Sequence, residues 1–220
     1  MSDKQLTILF TGMVPVPGTL ALAREMLPGV RVVSIVDDSL LDDVIAAGHL
    51  TQDVTRRVCQ YALAAEDGGA DLILSQCSSV GEAIDVARLL VRTPILKIDE
   101  PMAEEAVRCG PRIAVAATLP TTLAPTCRLI ERSAAEAGRA VQITQVLAEG
   151  AFDVLKAGDQ TRHNEMVLAA LRPYRDAADV IVLAQGSMAV LLPRLEGWGI
   201  PVLTSPRAGM QRVAERMAAL

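Results

Sequence analysis

The sequence predicts an α/β fold of two pseudosymmetric lobes, each with a mostly parallel four-stranded sheet. Three observations carry that expectation. Short apolar runs alternate with helix-period segments along the whole chain. About half of the 220 residues are hydrophobic but only 2% are aromatic, so Ala, Val, Leu and Ile must fill the core, as suits helices laid on a parallel sheet. Finally, one stretch of the first half returns in the second.

Eight runs read as strands covered on both faces: Leu6–Phe10, Arg31–Val36, Asp71–Ser75, Pro94–Lys97, Arg112–Ala116, Val141–Val146, Asp179–Leu183 and Pro201–Leu203. Helical periodicity runs between them. Asp53–Asp67 sets Val54, Val58, Tyr61, Ala62 and Ala65 on one face, and Thr121–Ala137 does so with Leu123, Cys127, Ile130 and Ala134. Gly68-Gly69 and Gly138 stop these two helices. Strands alternating with helices imply right-handed βαβ units.

The repeat aligns residues 70–79 with 178–187, each continuing through a short helix into a Pro-led strand at Pro94 or Pro201. Cys77 and Gln185 then correspond at an offset of 108 residues, and the strand ends Thr11 and Thr118 at 107. Order, spacing and turn position agree, which suggests two copies of one lobe. The expected division is residues 1–110, completed by a C-terminal helix over 206–220, and residues 111–205.

A net charge of −5 without a basic stripe argues against nucleic acid as a partner. The N-terminus runs directly into a strand, and no apolar stretch is long enough for a membrane span, so a cytoplasmic protein is expected. Its four cysteines, Cys59, Cys77, Cys109 and Cys127, then read as thiols, at spacings unlike those of zinc sites. There is no Walker loop and no GxGxxG, and Gly12–Gly18 contains two prolines. The chemistry is therefore expected to need no cofactor and no metal.

Ligands of open parallel sheets bind beyond the carboxyl ends of the strands. Four such ends hold the candidates: Thr11-Gly12, Cys77-Ser78-Ser79, Thr118 with Thr121 and Thr122, and Gln185-Gly186-Ser187. Cys77 stands between a strand end and a helix start, where backbone N–H groups favour a thiolate, and Ser78 and Ser79 suit helix capping. The three threonines suit either anion binding or an ordinary cap by Thr121 or Thr118. Cys127 and Cys59 read as core, and Cys109 as a helix end. Asp37, Asp38, His49, Asp99 and Glu100 also lie near strand ends or helix entries; an Asx turn accounts for the first pair and a surface or capping position for His49.

These motifs, Gln76-Cys77-Ser78-Ser79-Val80-Gly81-Glu82, Ala117-Thr118-Leu119-Pro120-Thr121-Thr122 and Leu183-Ala184-Gln185-Gly186-Ser187-Met188-Ala189, resemble those of the aspartate/glutamate racemase superfamily over nearly the whole chain. The third is similar to the hydantoin-racemase pattern Leu-Gly-Cys-Ala-Gly-Met-Ala. The resemblance implies an active site in a cleft between two lobes, a small carboxylate substrate, no cofactor and a homodimer. It also implies one cysteine per lobe, one thiolate removing the α-proton and the other thiol protonating the opposite face.

Here the second cysteine is Gln185, and an amide is neither acid nor base near neutral pH. What remains is Cys77 opposite a hydrogen-bond donor, in an isomerase or lyase. Three chemistries fit: proton exchange with an enolate-like intermediate, as in isomerisation or decarboxylation; nucleophilic addition to an unsaturated acid, as in cis–trans isomerisation; and attack on an acyl carbon, as in a hydrolase or lyase. A binding protein on a catalytically retired scaffold is the alternative from another class.

Overall fold

A computed structural model describes residues 4–220. All eight expected strands are present: β1 (Gln5–Phe10), β2 (Arg31–Val36), β3 (Leu72–Ser75), β4 (Ile95–Lys97), β5 (Arg112–Ala117), β6 (Gln142–Leu147), β7 (Val180–Leu183) and β8 (Val202–Thr204). They form two sheets of four parallel strands, in the orders β2-β1-β3-β4 and β6-β5-β7-β8. The helices are α1 (Val16–Met26), α2 (Ser39–Ala47), α3 (Gln52–Asp67), α4 (Gly81–Ala87), α5 (Glu100–Cys109), α6 (Pro120–Glu136), α7 (Ala151–Lys156), α8 (Gln160–Leu171), α9 (Leu192–Leu195) and α10 (Ser205–Ala219). The chain divides into two compact units, one of the described residues up to Ile98 with Pro206–Leu220, the other Asp99–Ser205.

In the first unit the alternation of β1 and β3 splits the core in two. Leu6, Ile8, Phe10, Leu72 and Leu74 point to one face and pack with Ala23 of α1 and Met210, Val213 and Met217 of α10. Leu9 and Ile73 point to the other and meet Leu40, Val44, Val54, Val58 and Ala62. A central parallel strand is covered on both faces, so QLTILF is buried throughout. The second unit repeats this plan. Ile113, Val115, Val180 and Val182 face α5 and α6. Ala114, Ala116, Ile181 and Leu183 face α7, α8 and the segment from Met188 to Leu195.

The repeat extends to single hydrogen bonds. Asp71 accepts from the Gln5 nitrogen at 2.7 Å, and Asp179 from the Arg112 nitrogen at 2.8 Å. At the other end of the same strands, Gln76 N donates to Leu9 O at 3.1 Å, and Ala184 N to Ala116 O at 2.9 Å. Each central strand is thus tied to its neighbour at both ends, which pins the register (Leu9 beside Ser75, Ala116 beside Leu183).

Helix α10 approaches the chain leaving β4 closely. A Cβ on Gly209 would lie 2.3 Å from the Ile98 carbonyl oxygen, a backbone atom that cannot swing aside. We predict that Gly209→Ala lifts α10 off the sheet and lowers stability by about 1–3 kcal/mol, measured as a drop in the urea midpoint. An unchanged midpoint would show that α10 sits less tightly than described.

Candidate active site

The strand ends of the first unit bring Thr11 and Cys77 together. Thr11 follows β1 and is buried; Cys77 follows β3 in extended backbone (φ −135°, ψ 121°) and opens a short 3-10 turn, Ser78–Val80, that leads into α4. Ser78 and Ser79 are buried inside that turn, whereas Cys77 as a residue is half-buried, with its side chain packed against the core that includes Leu9, Val58 and Ile84. Neither serine is the capping residue; the cap position belongs to Cys77 itself. Gly12 is half-exposed, with open space where a Cβ would stand.

Burial pushes the Cys77 thiol up, and this outweighs the hydrogen bonds from the Thr11 hydroxyl, the Ser79 hydroxyl and N–H, and the Val80 N–H, all of which favour the thiolate. The expectation of a resting thiolate is therefore corrected. Donors at a strand–helix turn do lower a thiol's pKa, but desolvating the sulfur costs the anion more than these donors return. Cys77 rests protonated.

The second unit builds the same turn with an amide. Gln185 follows β7 in the same extended backbone (φ −117°, ψ 132°) and opens a 3-10 segment, Gly186–Leu191. Its Oε1 accepts from the Thr118 N–H at 2.5 Å and from the Thr118 hydroxyl at 2.9 Å. Thr118 is thus to Gln185 what Thr11 is to Cys77. Gln185, Gly186 and Ser187 are all half-exposed.

Thr118 and Thr121 do not cap α6, contrary to the capping expectation. Leu119 holds the cap position without a side-chain bond, because Pro120 fixes the first helical residue and the Thr118 hydroxyl is turned to Gln185. Thr121 Oγ1 is buried without a partner in the first turn, next to the buried Thr122.

The acidic candidates separate. Asp37 is drawn into a structural network: Tyr61 donates to it at 2.5 Å, Ser39 at 2.7 Å, and Arg57 forms an ion pair with it. Burial alone raises its pKa, but the bonds from Tyr61, Ser39 and Arg57 prevail and hold it at about 2. Asp38 precedes α2 at its cap position, and His49 is exposed with Nδ1 2.9 Å from the Ala47 oxygen. Asp99 is buried at the start of α5, which Glu100 opens.

Cys59 and Cys127 are core residues; burial pushes Cys127 to about 11. The apolar cavity beside Thr11, lined also by Leu9, Val58, Tyr61 and Ile84, measures only about 10 Å³, room for roughly one water molecule. A shallow groove of about 830 Å³ lies along Cys109, Arg112, Arg175 and Trp198, at the amino end of the second sheet, away from Gln185. Among the described residues, no group of three or more His, Cys, Asp or Glu is placed to hold a metal, and no helix is long and apolar enough to cross a membrane. The pairing of Asp71 and Asp179 with the backbone of β1 and β5 has no distinctive sequence signal beyond the repeat itself.

Two measurements follow from these electrostatics. Iodoacetamide labelling of the Cys77 peptide, followed by mass spectrometry, should be slow at pH 7 and climb with pH beyond the range of an ordinary thiol; rapid labelling at pH 7 would contradict the buried-thiol picture. Asp37 has its pKa lowered on folding, so its stabilisation is full above the unfolded value near 3.8 and fades as pH falls through about 2. Asp37→Asn should lower stability at pH 7 by about 1 kcal/mol after allowance for solvent screening. The same substitution should have a smaller effect near pH 2, as read from urea midpoints at the two pH values.

The fold recurs in proteins of known structure. Aspartate racemase from Picrophilus torridus superposes with a TM-score of 0.70 at 15% identity, covering 99% of this chain and 100% of that one. Allantoin racemase from Klebsiella pneumoniae gives 0.67 at 20% identity, covering 98% and 88%. A cysteine-for-glycine mutant of arylmalonate decarboxylase in a sulfate-associated form gives 0.63 at 18%, covering 98% and 93%. No sequence among the curated proteins matches the chain. The family model for Asp/Glu/hydantoin racemases matches residues 17–213, nine-tenths of the sequence, and the chain belongs to that family.

Proposed function

We propose that this protein is a cofactor-independent enzyme that transfers a proton at the α-carbon of a small carboxylate, with Cys77 as its one acid–base group. The observation that carries this reading is the pair of matched turns: Thr11 against a thiol in one unit, Thr118 against an amide in the other. A thiol can give or take a proton near neutral pH; an amide can do neither. The protein then works on one face of the carbon, which suits isomerisation through an enolate or stereospecific protonation better than two-sided racemisation. Within the first unit, Gly12 and Ser78 are the groups of the Cys77 turn assigned to substrate binding, and Gly186 and Ser187 stand in the equivalent turn of the second unit.

The resting state of Cys77 favours a lyase as the second reading. A protonated thiol is ready to donate, not to abstract. Loss of carbon dioxide from a malonate-type acid breaks a C–C bond and leaves the electron pair on the α-carbon. Cys77 then forms the new C–H bond by giving up its S–H proton, and the resulting thiolate recovers a proton from solvent. An isomerase must first deprotonate Cys77 at the expense of its burial.

The test is proton NMR in D₂O with a panel of amino, hydroxy, unsaturated and malonate-type acids. Deuterium should enter an α-carbon, or a carboxylate should be lost, and Cys77→Ala should slow this by about 100-fold to 10,000-fold. Full activity in Cys77→Ala would sink the proposal. A panel left wholly unchanged by the unsubstituted protein would favour the retired binding scaffold.

A further inference from the structure

Lys97 ends β4 and is buried, where an ammonium group stands only with a partner. It pairs in register with Ser75 of β3, two residues before Cys77. Ile95, two residues before Lys97, packs into the same core as Cys77, so the alternation of the strand sends the Lys97 side chain to that side as well. Its Nζ meets the half-buried carboxylate of Asp85, on the second turn of α4, at 2.6 Å. Its stem passes close to the start of the same helix: a Cβ on Gly81 would lie 3.7 Å from Lys97 Cδ. Arg88, just beyond α4, adds a second tether by donating to the Ile95 carbonyl oxygen of β4 at 2.7 and 3.0 Å and to Asp85 at 3.2 Å.

Helix α4 depends on such tethers. It has seven residues, too few for a helix to hold by itself, and Val80 at its cap position makes no side-chain bond there. Cys77, at the cap position of the preceding 3-10 turn, makes none there either. Yet three of the four donors to the Cys77 sulfur stand on that turn: the Ser79 hydroxyl, the Ser79 N–H and the Val80 N–H. The placement of α4 decides where they point. Stability does not account for the ion pair, because apolar side chains of similar volume are often as good or better in such a position. The corresponding residue of the second unit, beside Leu183, is the uncharged Thr204, and the turn there presents an amide in place of a thiol.

We propose that Lys97 is the positioning residue for Cys77: anchored to Asp85, it fixes α4 against β4 and so holds the Ser78–Val80 turn with its donors around the sulfur. This rests on Cys77 as the reactive group proposed above and names the residue that sets its surroundings.

Iodoacetamide labelling of Cys77 and Cys59 over a range of pH, read by mass spectrometry, tests the proposal on Lys97→Met and on the double variant Lys97→Met/Asp85→Leu. Cys59 belongs to the same core and reports any general opening of the unit. Burial outweighs the donors at Cys77, so a sulfur released from the turn reverts toward an ordinary thiol. Its profile should move to lower pH, with labelling at pH 7 about 10-fold faster, while Cys59 stays as slow as before. The double variant leaves no uncompensated charge and serves if Lys97→Met fails to fold by circular dichroism. Unchanged Cys77 labelling in a folded variant would overturn the proposal. Equal acceleration of Cys59, or failure of both variants to fold, would do so too, since the pair would then support the whole unit. Labelling needs no substrate, so these outcomes are separable from those for the reaction. If Cys77 responds to Lys97 while Cys77→Ala keeps full activity, Lys97 still positions the thiol and only the proton-transfer reading falls.

Discussion

The register between each central strand and its neighbour is the constraint from which the site follows. Parallel strands can slide by two residues without changing which side chains face the core, so hydrophobic pattern alone does not fix where their ends stand. Asp71 and Asp179 tie the amino ends of the pairs, and the backbone bonds at Gln76 and Ala184 tie the carboxyl ends. With both ends fixed, the residue after one strand reaches the residue after the next, and a threonine meets whatever the turn presents. In one unit that is a sulfur and in the other an amide.

Much of this is legible in the amino-acid sequence because it rests on local pattern. The eight strands are short apolar runs flanked by helical periodicity, and the duplication is visible as two matching stretches at nearly one offset. Cys77 and Gln185 are placed at strand ends by the same logic. What the sequence hides is any property set by competition between residues far apart. The protonation of Cys77 depends on how burial of its sulfur weighs against four donors from Thr11, Ser79 and Val80. Asp37 reads as a candidate ligand until Arg57 and Tyr61, more than a helix away in sequence, fold onto it. Thr118 and Thr121 carry a capping pattern, yet Pro120 leaves Leu119 at the cap and sends the Thr118 hydroxyl elsewhere.

The charges of the protein are spent largely on holding elements in place. Arg57 gathers Asp37 and Asp43, and the buried Lys97 pairs with Asp85 at 2.6 Å. Removing Asp85 would leave the buried Lys97 charge with little water around it, so that pair is costly to vary. The two strand-end turns, by contrast, are built from neutral groups: a thiol with hydroxyl and backbone N–H donors in one unit, an amide with a hydroxyl and a backbone N–H in the other. Neutral donors in fixed positions bind an anion without first needing a charged side chain to be desolvated.

The composition of the first unit from two distant pieces of chain has a consequence for biosynthesis. Residues 99–205 form a contiguous unit, whereas the sheet of the other unit is covered on one face by α10, which is translated after all of them. On the ribosome, the first sheet therefore emerges early with the face of Leu6, Ile8, Phe10, Leu72 and Leu74 covered only in part, by α1, and must wait for more than a hundred further residues to be completed by α10. Segments that expose apolar strands for that long are the ones that nascent-chain chaperones hold. Folding should thus run against the order of synthesis, the later-made unit closing first and the earlier-made one last.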